Sequence, residues 1–227
     1  MPPATGKGAS MQLLFVLAAL LFAVPAHAAT IVINNGLAPP NPANVIDASD
    51  DYSDRVAVQN VGCDADVEYP CASPGASTTV ALVSGGSVGS VLYVYESSSV
   101  TMSGGSIGND ILLSDSSSIA ISGGSVGDDL WATDFSSATI SGGSIDDVIV
   151  AVDSSLITII GSDFAVNGGS VPYGDLAALS GRLTGTLASG DSINNMFYQG
   201  GGSYTGTVTL SPPTNCSDFV DNDGDTL

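Results

Sequence analysis

Between residues 84 and 159 apolar and polar positions alternate, and the alternation itself recurs. SGGSVGSVLYVYESSSVTM at 84–102 is followed by SGGSIGNDILLSDSSSIAI at 103–121, SGGSVGDDLWATDFSSATI at 122–140 and SGGSIDDVIVAVDSSLITI at 141–159. The Ser-Gly-Gly triplets begin at Ser84, Ser103, Ser122 and Ser141, a strict period of 19. Counting from that serine, the fifth position holds Val88, Ile107, Val126 and Ile145, and the ninth Leu92, Ile111, Leu130 and Ile149. The eleventh, seventeenth and nineteenth are apolar in every unit as well. Alternation of this kind, rich in β-branched residues, predicts strands. Helical repeats are longer, about 33 residues or more.

Two short strands per unit, broken by Gly-Gly and by a serine cluster, predict one coil of a β-solenoid. The expected fold class is therefore all-β: a short parallel β-solenoid (β-helix) of about four 19-residue coils with irregular β caps at both ends. The glycines supply a corner that requires positive φ. Parallel pairing would set successive coils about 4.8 Å apart. Like side chains then stack into internal columns, each buried aliphatic contributing roughly 1.5–3 kcal/mol. Repetition follows from this physics, because one coil cannot bury its own apolar face.

The rest of the chain divides around the repeat. LLFVLAALLFAV at 13–24, preceded by Lys7 and followed by PAHA, has the layout of a secretory signal peptide with cleavage after Ala28. Its apolar run is too short for a membrane-spanning helix, which needs about 20 residues. The expected organisation is a signal peptide at 1–28, an N-terminal strand and loop cap at 29–78 and the repeats at 79–163. A C-terminal β cap at 164–210 and an acidic, disordered tail at 211–227 complete it. The mature protein is expected to be secreted or at the cell surface, with the periplasm as an alternative, and to hold no transmembrane segment.

Charge changes the picture of possible partners. Removal of the leader takes away the single His and the single Lys, leaving Arg55 and Arg182 against 23 acids, a formal charge of −21. That field repels phosphate, so nucleic acid is excluded as a partner. With 44% hydrophobic residues in periodic order, the chain is not of the disordered class. In an oxidising compartment Cys63 and Cys71 could close a small disulfide loop, with Cys216 left over.

Four features carry candidate chemistry. The first is an acid column at the thirteenth position, Glu96, Asp115, Asp134 and Asp153, each followed two residues on by serine. Like charges at coil spacing repel by roughly 1 kcal/mol even in water, so something must offset them. Hydrogen bonds to backbone N–H groups at a turn would do so, making this a structural turn column; bound cations are the alternative. The second is the paired acids Asp128, Asp129, Asp146 and Asp147, which could in principle serve a glycoside hydrolase. Adjacent strand residues face opposite ways, which argues against that use, and no catalytic residue is assigned. The third is the tenth position, Tyr93, Leu112, Trp131 and Val150, with Tyr95 close by. If the ninth and eleventh positions point inward these point outward. Tyr93, Tyr95, Leu112 and Trp131 then form a candidate face for a glycan or a surface protein. The fourth is Asp221, Asp223 and Asp225, whose alternation suits weak calcium binding without the closing Glu of a complete loop. No cofactor other than calcium is suggested.

The leader, the SGGSIGxDL-type repeats and the segment VPYGDLAALSGRLTGTLASGDSINNMFYQGGGSYTGTVTL together resemble exported bacterial proteins of the PEP-CTERM-associated type. That resemblance covers most of the mature chain and implies a secreted or surface protein associated with an extracellular polysaccharide matrix, without a defined activity. The sequence departs from the family after Leu210: no VPEP motif, apolar helix or arginine cluster follows, so no sorting anchor is carried over. NCSDFVDNDGDTL instead resembles the C-S-D-x-x-D-N-D-x-D segments akin to thrombospondin type 3 calcium repeats. Those normally continue further, which implies a truncated chain. The function expected is structural or surface-interacting and non-enzymatic. A glycan-binding module is the first alternative and a polysaccharide hydrolase the second.

Overall fold

The computed structural model describes residues 31–33, 45–59, 80–200 and 205–214. Among them every regular element is a β-strand and no helix occurs, so none is long and apolar enough to cross a membrane. The N-terminal part contributes β1 (Ile31–Ile33), β2 (Val45–Ile46), β3 (Asp51–Tyr52), β4 (Val56–Val58) and β5 (Val80–Val83). The repeats supply β6 (Ser87–Val88), β7 (Leu92–Val94), β8 (Ser99–Ile107), β9 (Ile111–Leu113), β10 (Ser118–Val126), β11 (Leu130–Ala132), β12 (Ser137–Ile145), β13 (Val148–Ala151) and β14 (Leu156–Val166). The C-terminal part adds β15 (Gly169–Ser170), β16 (Gly174–Asp175), β17 (Ser180–Leu187), β18 (Ser192–Gln199) and β19 (Thr207–Ser211).

Pairing is mostly parallel, and it places equal unit positions opposite one another. In one ladder β7, β9, β11 and β13 align Leu92, Ile111, Leu130 and Ile149. In the other β8, β10, β12 and β14 align Val100, Ile119, Ala138 and Ile157. The ninth, eleventh, seventeenth and nineteenth positions are all buried, from Leu92 and Val94 up to Ile157 and Ile159. Of the fifth-position residues only Ile145 is less than fully buried. The core is therefore a set of aliphatic columns running through the stack.

The stack continues past the SGG units in both directions. β2, β3 and β4 pair in parallel with β5, β6 and β7 below it. Above it β18 lies parallel on β13 and β19 parallel on β14. Ahead of those two added strands in sequence the chain inserts β17, which pairs antiparallel with both β14 and β18. The C-terminal part thus combines a further parallel layer with an antiparallel insertion, where irregular strands alone were expected. Two buried amides secure it. Asn195 donates from Nδ2 to the carbonyls of Ile145 (2.6 Å) and Asp147 (2.9 Å). Gln199 donates to Leu176 and Ala178 and accepts from the Val208 N–H.

The corner explains the glycines. Gly105 has φ of 79°, and a Cβ there would stand 2.6 Å from the Gly85 carbonyl oxygen of the preceding layer. Close stacking of backbone on backbone leaves no room for a side chain. The signal peptide expected at 1–28, Cys63, Cys71, Cys216 and the acidic Asp221, Asp223 and Asp225 lie outside the described residues.

Candidate functional site

The acid column sits on a tight turn. In each repeat the N–H of the fifteenth residue returns to the carbonyl of the twelfth, as in Ser117 to Ser114 (3.2 Å) and Ser136 to Thr133 (3.1 Å). The second residue of that turn is Glu96, Asp115, Asp134 or Asp153, with φ of 60°, 59°, 56° and 57°. Positive φ is uncommon for residues with a side chain, and Asp and Asn tolerate it best. The carboxylates then bond from layer to layer. The Glu96 N–H donates to Asp115 Oδ2 (3.0 Å), the Asp115 N–H to Asp134 Oδ2 (3.2 Å) and the Asp134 N–H to Asp153 Oδ2 (3.4 Å). Ser114 Oγ also donates to Asp134 (2.7 Å), and that bond, more than the two from the Asp115 N–H and Thr133, holds the Asp134 carboxyl below its usual range against partial desolvation. The Asp115, Asp134 and Asp153 charges thus each lie beside a backbone donor of the preceding layer, which offsets the repulsion along the column. The serines two residues on, Ser98, Ser117, Ser136 and Ser155, are buried beneath the turn.

The tenth-position residues form one line across the neighbouring ladder. Register runs Ala57, Tyr93, Leu112, Trp131, Val150, Tyr198 through β4, β7, β9, β11, β13 and β18. Tyr93 and Leu112 are half-buried, Trp131 is 38% exposed and Tyr198 50% exposed. Val150, between those last two in register, is 4% exposed and therefore offers no surface of its own. Tyr95 stacks on Tyr93 with centroids 5.5 Å apart and planes at 20°. Burial, then the neighbouring Tyr93 and Asp115, push the Tyr95 phenol upward, so it stays protonated.

Aromatic residues thus recur on alternate strands, Tyr93, Trp131 and Tyr198, at intervals of about 9.6 Å by strand spacing. Tyr198 was not legible in the repeat, because β18 joins this ladder from outside it.

The acids beside this line come together, contrary to the expectation that neighbours such as Asp128 and Asp129 diverge. They occupy a bend before β11, not a strand, and strand alternation does not apply there. One carboxylate oxygen each from Asp110, Asp128 and Asp129 lies within 4.8 Å of the others. Asp110 accepts from the Asp129 N–H (3.2 Å) and Asp129 from the Val148 N–H (2.9 Å). The other oxygen of Asp129 takes the indole N–H of Trp131 (3.0 Å), which ties the acids to the aromatic line. Partial desolvation, then the charges of Asp129, Asp110 and Asp147, raise the exposed Asp128 carboxyl. Asp146 and Asp147 are exposed one layer on.

A half-open groove of about 390 Å³ lies in the C-terminal part, lined by Val166, Val171, Pro172 and Leu176. Its one acid, Asp175, is engaged by Thr209 Oγ1 (2.6 Å). The groove is apolar and brings no acid–base pair together.

The class defined by these features is an all-β protein of stacked, mostly parallel strands with an outward aromatic line edged by carboxylates. Comparison with family models, with curated proteins and with solved structures finds no match.

Proposed function

We propose that this chain is an exported, non-enzymatic β-solenoid of 19-residue coils that serves as an interaction surface in an extracellular polysaccharide matrix. Its working face is the line Tyr93, Leu112, Trp131 and Tyr198. The observation that carries the reading is the regular recurrence of an aromatic ring on every second strand of one ladder. Aromatic rings present flat apolar surface at low entropic cost, and a linear polysaccharide offers matching flat faces along its length. A rigid stack is suited to holding such rings at fixed intervals, because each layer is set by its neighbours. The leader and the resemblance to matrix-associated exported proteins support the compartment.

Hydrolysis is the competing reading, favoured by the raised Asp128 carboxyl, which would suit a proton donor. Against it, Asp129 has its oxygens committed to the Val148 N–H and the Trp131 indole. The two readings separate on one protein. Affinity electrophoresis through neutral and charged polysaccharides is expected to retard the full chain, and Trp131→Ala is expected to abolish the retardation. Retardation unchanged in Trp131→Ala would remove the aromatic line as the contact face. Release of reducing ends, lost in Asp128→Asn, would establish the hydrolase instead.

A further inference from the structure

The acids that edge the aromatic line narrow the kind of glycan it can take. We propose that the ligand is an extended polymer of free amino sugars, its rings stacked on Trp131 and Tyr198 and its ammonium groups held by Asp110, Asp128 and Asp129. This rests on the glycan reading of the line and adds the charge of the ligand to it.

Three observations converge on that chemistry. The aromatic intervals, about 9.6 Å from strand spacing, are close to the length of two sugars in an extended chain, so alternate sugars can stack. Carboxylates meet the line at a defined point, since Asp129 holds the Trp131 indole N–H and has Asp110 and Asp128 beside it. A sugar stacked on Trp131 therefore presents its substituents to that group. No cation of the described residues neutralises these acids: of the two arginines, Arg182 engages Asn194 through Nη1 (3.0 Å). Arg55 lies in the electrostatic environment of Tyr95.

Charge complementarity then selects among glycans. A chain of net charge −20 repels uronic acid polymers and sulfated or phosphorylated ones. A neutral polymer would gain stacking but leave the crowded carboxylates uncompensated. An ammonium gains charge-assisted hydrogen bonds to them and a further attraction to the indole face. Crowding that disfavours ionised Asp128 in the free protein is relieved by the same cation.

The test is calorimetric titration of the full chain with a glucosamine hexamer, an N-acetylglucosamine hexamer and spermine, at about pH 5.5, where the amines of the probes are protonated. The glucosamine oligomer is expected to bind at least about tenfold more tightly than the acetylated one, the value of one charge-assisted contact. Asp128→Asn is expected to weaken the glucosamine oligomer and leave the acetylated one unchanged, whereas Trp131→Phe weakens both. Asp128 is exposed, and a thermal melt checks that its variant is folded. Equal affinity for the two oligomers would overturn the selection for amines while leaving the glycan face standing. Spermine binding as tightly, with no effect of Trp131→Phe, would reduce the site to a charged patch and overturn the proposal. Failure of both oligomers would bring down the glycan reading itself.

Discussion

Substituting Asp115 separates the two readings of the acid column, since backbone geometry and charge respond differently. Asp115 has φ of 59°, and its carboxylate accepts the Glu96 N–H from the layer before. Alanine loses that acceptor and is disfavoured at positive φ by roughly 1–2 kcal/mol. The abandoned N–H belongs to a residue only 4% exposed, so losing its partner costs about 1 kcal/mol more. Asp115→Ala should therefore destabilise by about 2–3 kcal/mol. At about 2–4 °C per kcal/mol for a chain of this size, Tm falls by roughly 5–10 °C. Asp115→Gly loses the acceptor but is at ease at positive φ, and should cost only about 1 kcal/mol. Asp115→Asn keeps both the conformation and an acceptor oxygen while removing a charge from the column, so its Tm should equal or slightly exceed that of the parent. The assay is thermal melting followed by circular dichroism, with and without a chelator. Asn as damaging as Ala, together with a chelator effect on the parent, would refute the turn argument and leave bound cations as the reason for the acids.

Three further outcomes follow from the same geometry. Gly105→Ala combines a left-handed φ with a Cβ 2.6 Å from the Gly85 carbonyl oxygen, so a loss of about 3 kcal/mol or more by urea denaturation is expected, and a neutral result would contradict the close stacking. For pH, the Asp128 carboxyl is raised, so its ionised form opposes folding above its folded pKa and the effect disappears below the unfolded value of 3.8. Asp128→Asn should accordingly melt higher than the parent near neutrality and equal to it in acid. Asp191 is the opposite case. The Gly143 N–H, then Ser189, lower its carboxyl, so its stabilisation is present above 3.8 and fades as pH falls through its folded pKa. A parent-to-Asp191→Asn difference that grew in acid would contradict this.

The core was legible because a strict period turns sequence position into depth. Leu92, Ile111, Leu130 and Ile149 share a unit position, and parallel pairing makes them neighbours. The same rule marked Tyr93 and Trp131 as outward. What escaped it lies where the rule stops. Tyr198 enters the ladder on a strand outside the repeat, so no spacing pointed to it. Val150 holds an outward position yet is buried, with Trp131 of the preceding repeat on one side in register and Tyr198, from outside the repeat, on the other. Asp110, Asp128 and Asp129 converge because a bend replaces the strand whose alternation would have parted them. Asn195 and Gln199 look like surface residues in sequence. Their burial goes with amide bonds to the backbone carbonyls of Ile145, Asp147, Leu176 and Ala178, partners that local spacing does not reveal.

The working face can be tested on its own reporter, since Trp131 is the single tryptophan of the chain and stands in the middle of the aromatic line. Tryptophan emission is to be followed while glucosamine oligomers are titrated into the full chain. A saturable blue shift, reduced in Tyr198→Ala, is the result expected if a sugar stacks on the exposed indole. Emission unchanged at concentrations where binding is measured by calorimetry would contradict the account, because a ligand would then be held somewhere other than this face.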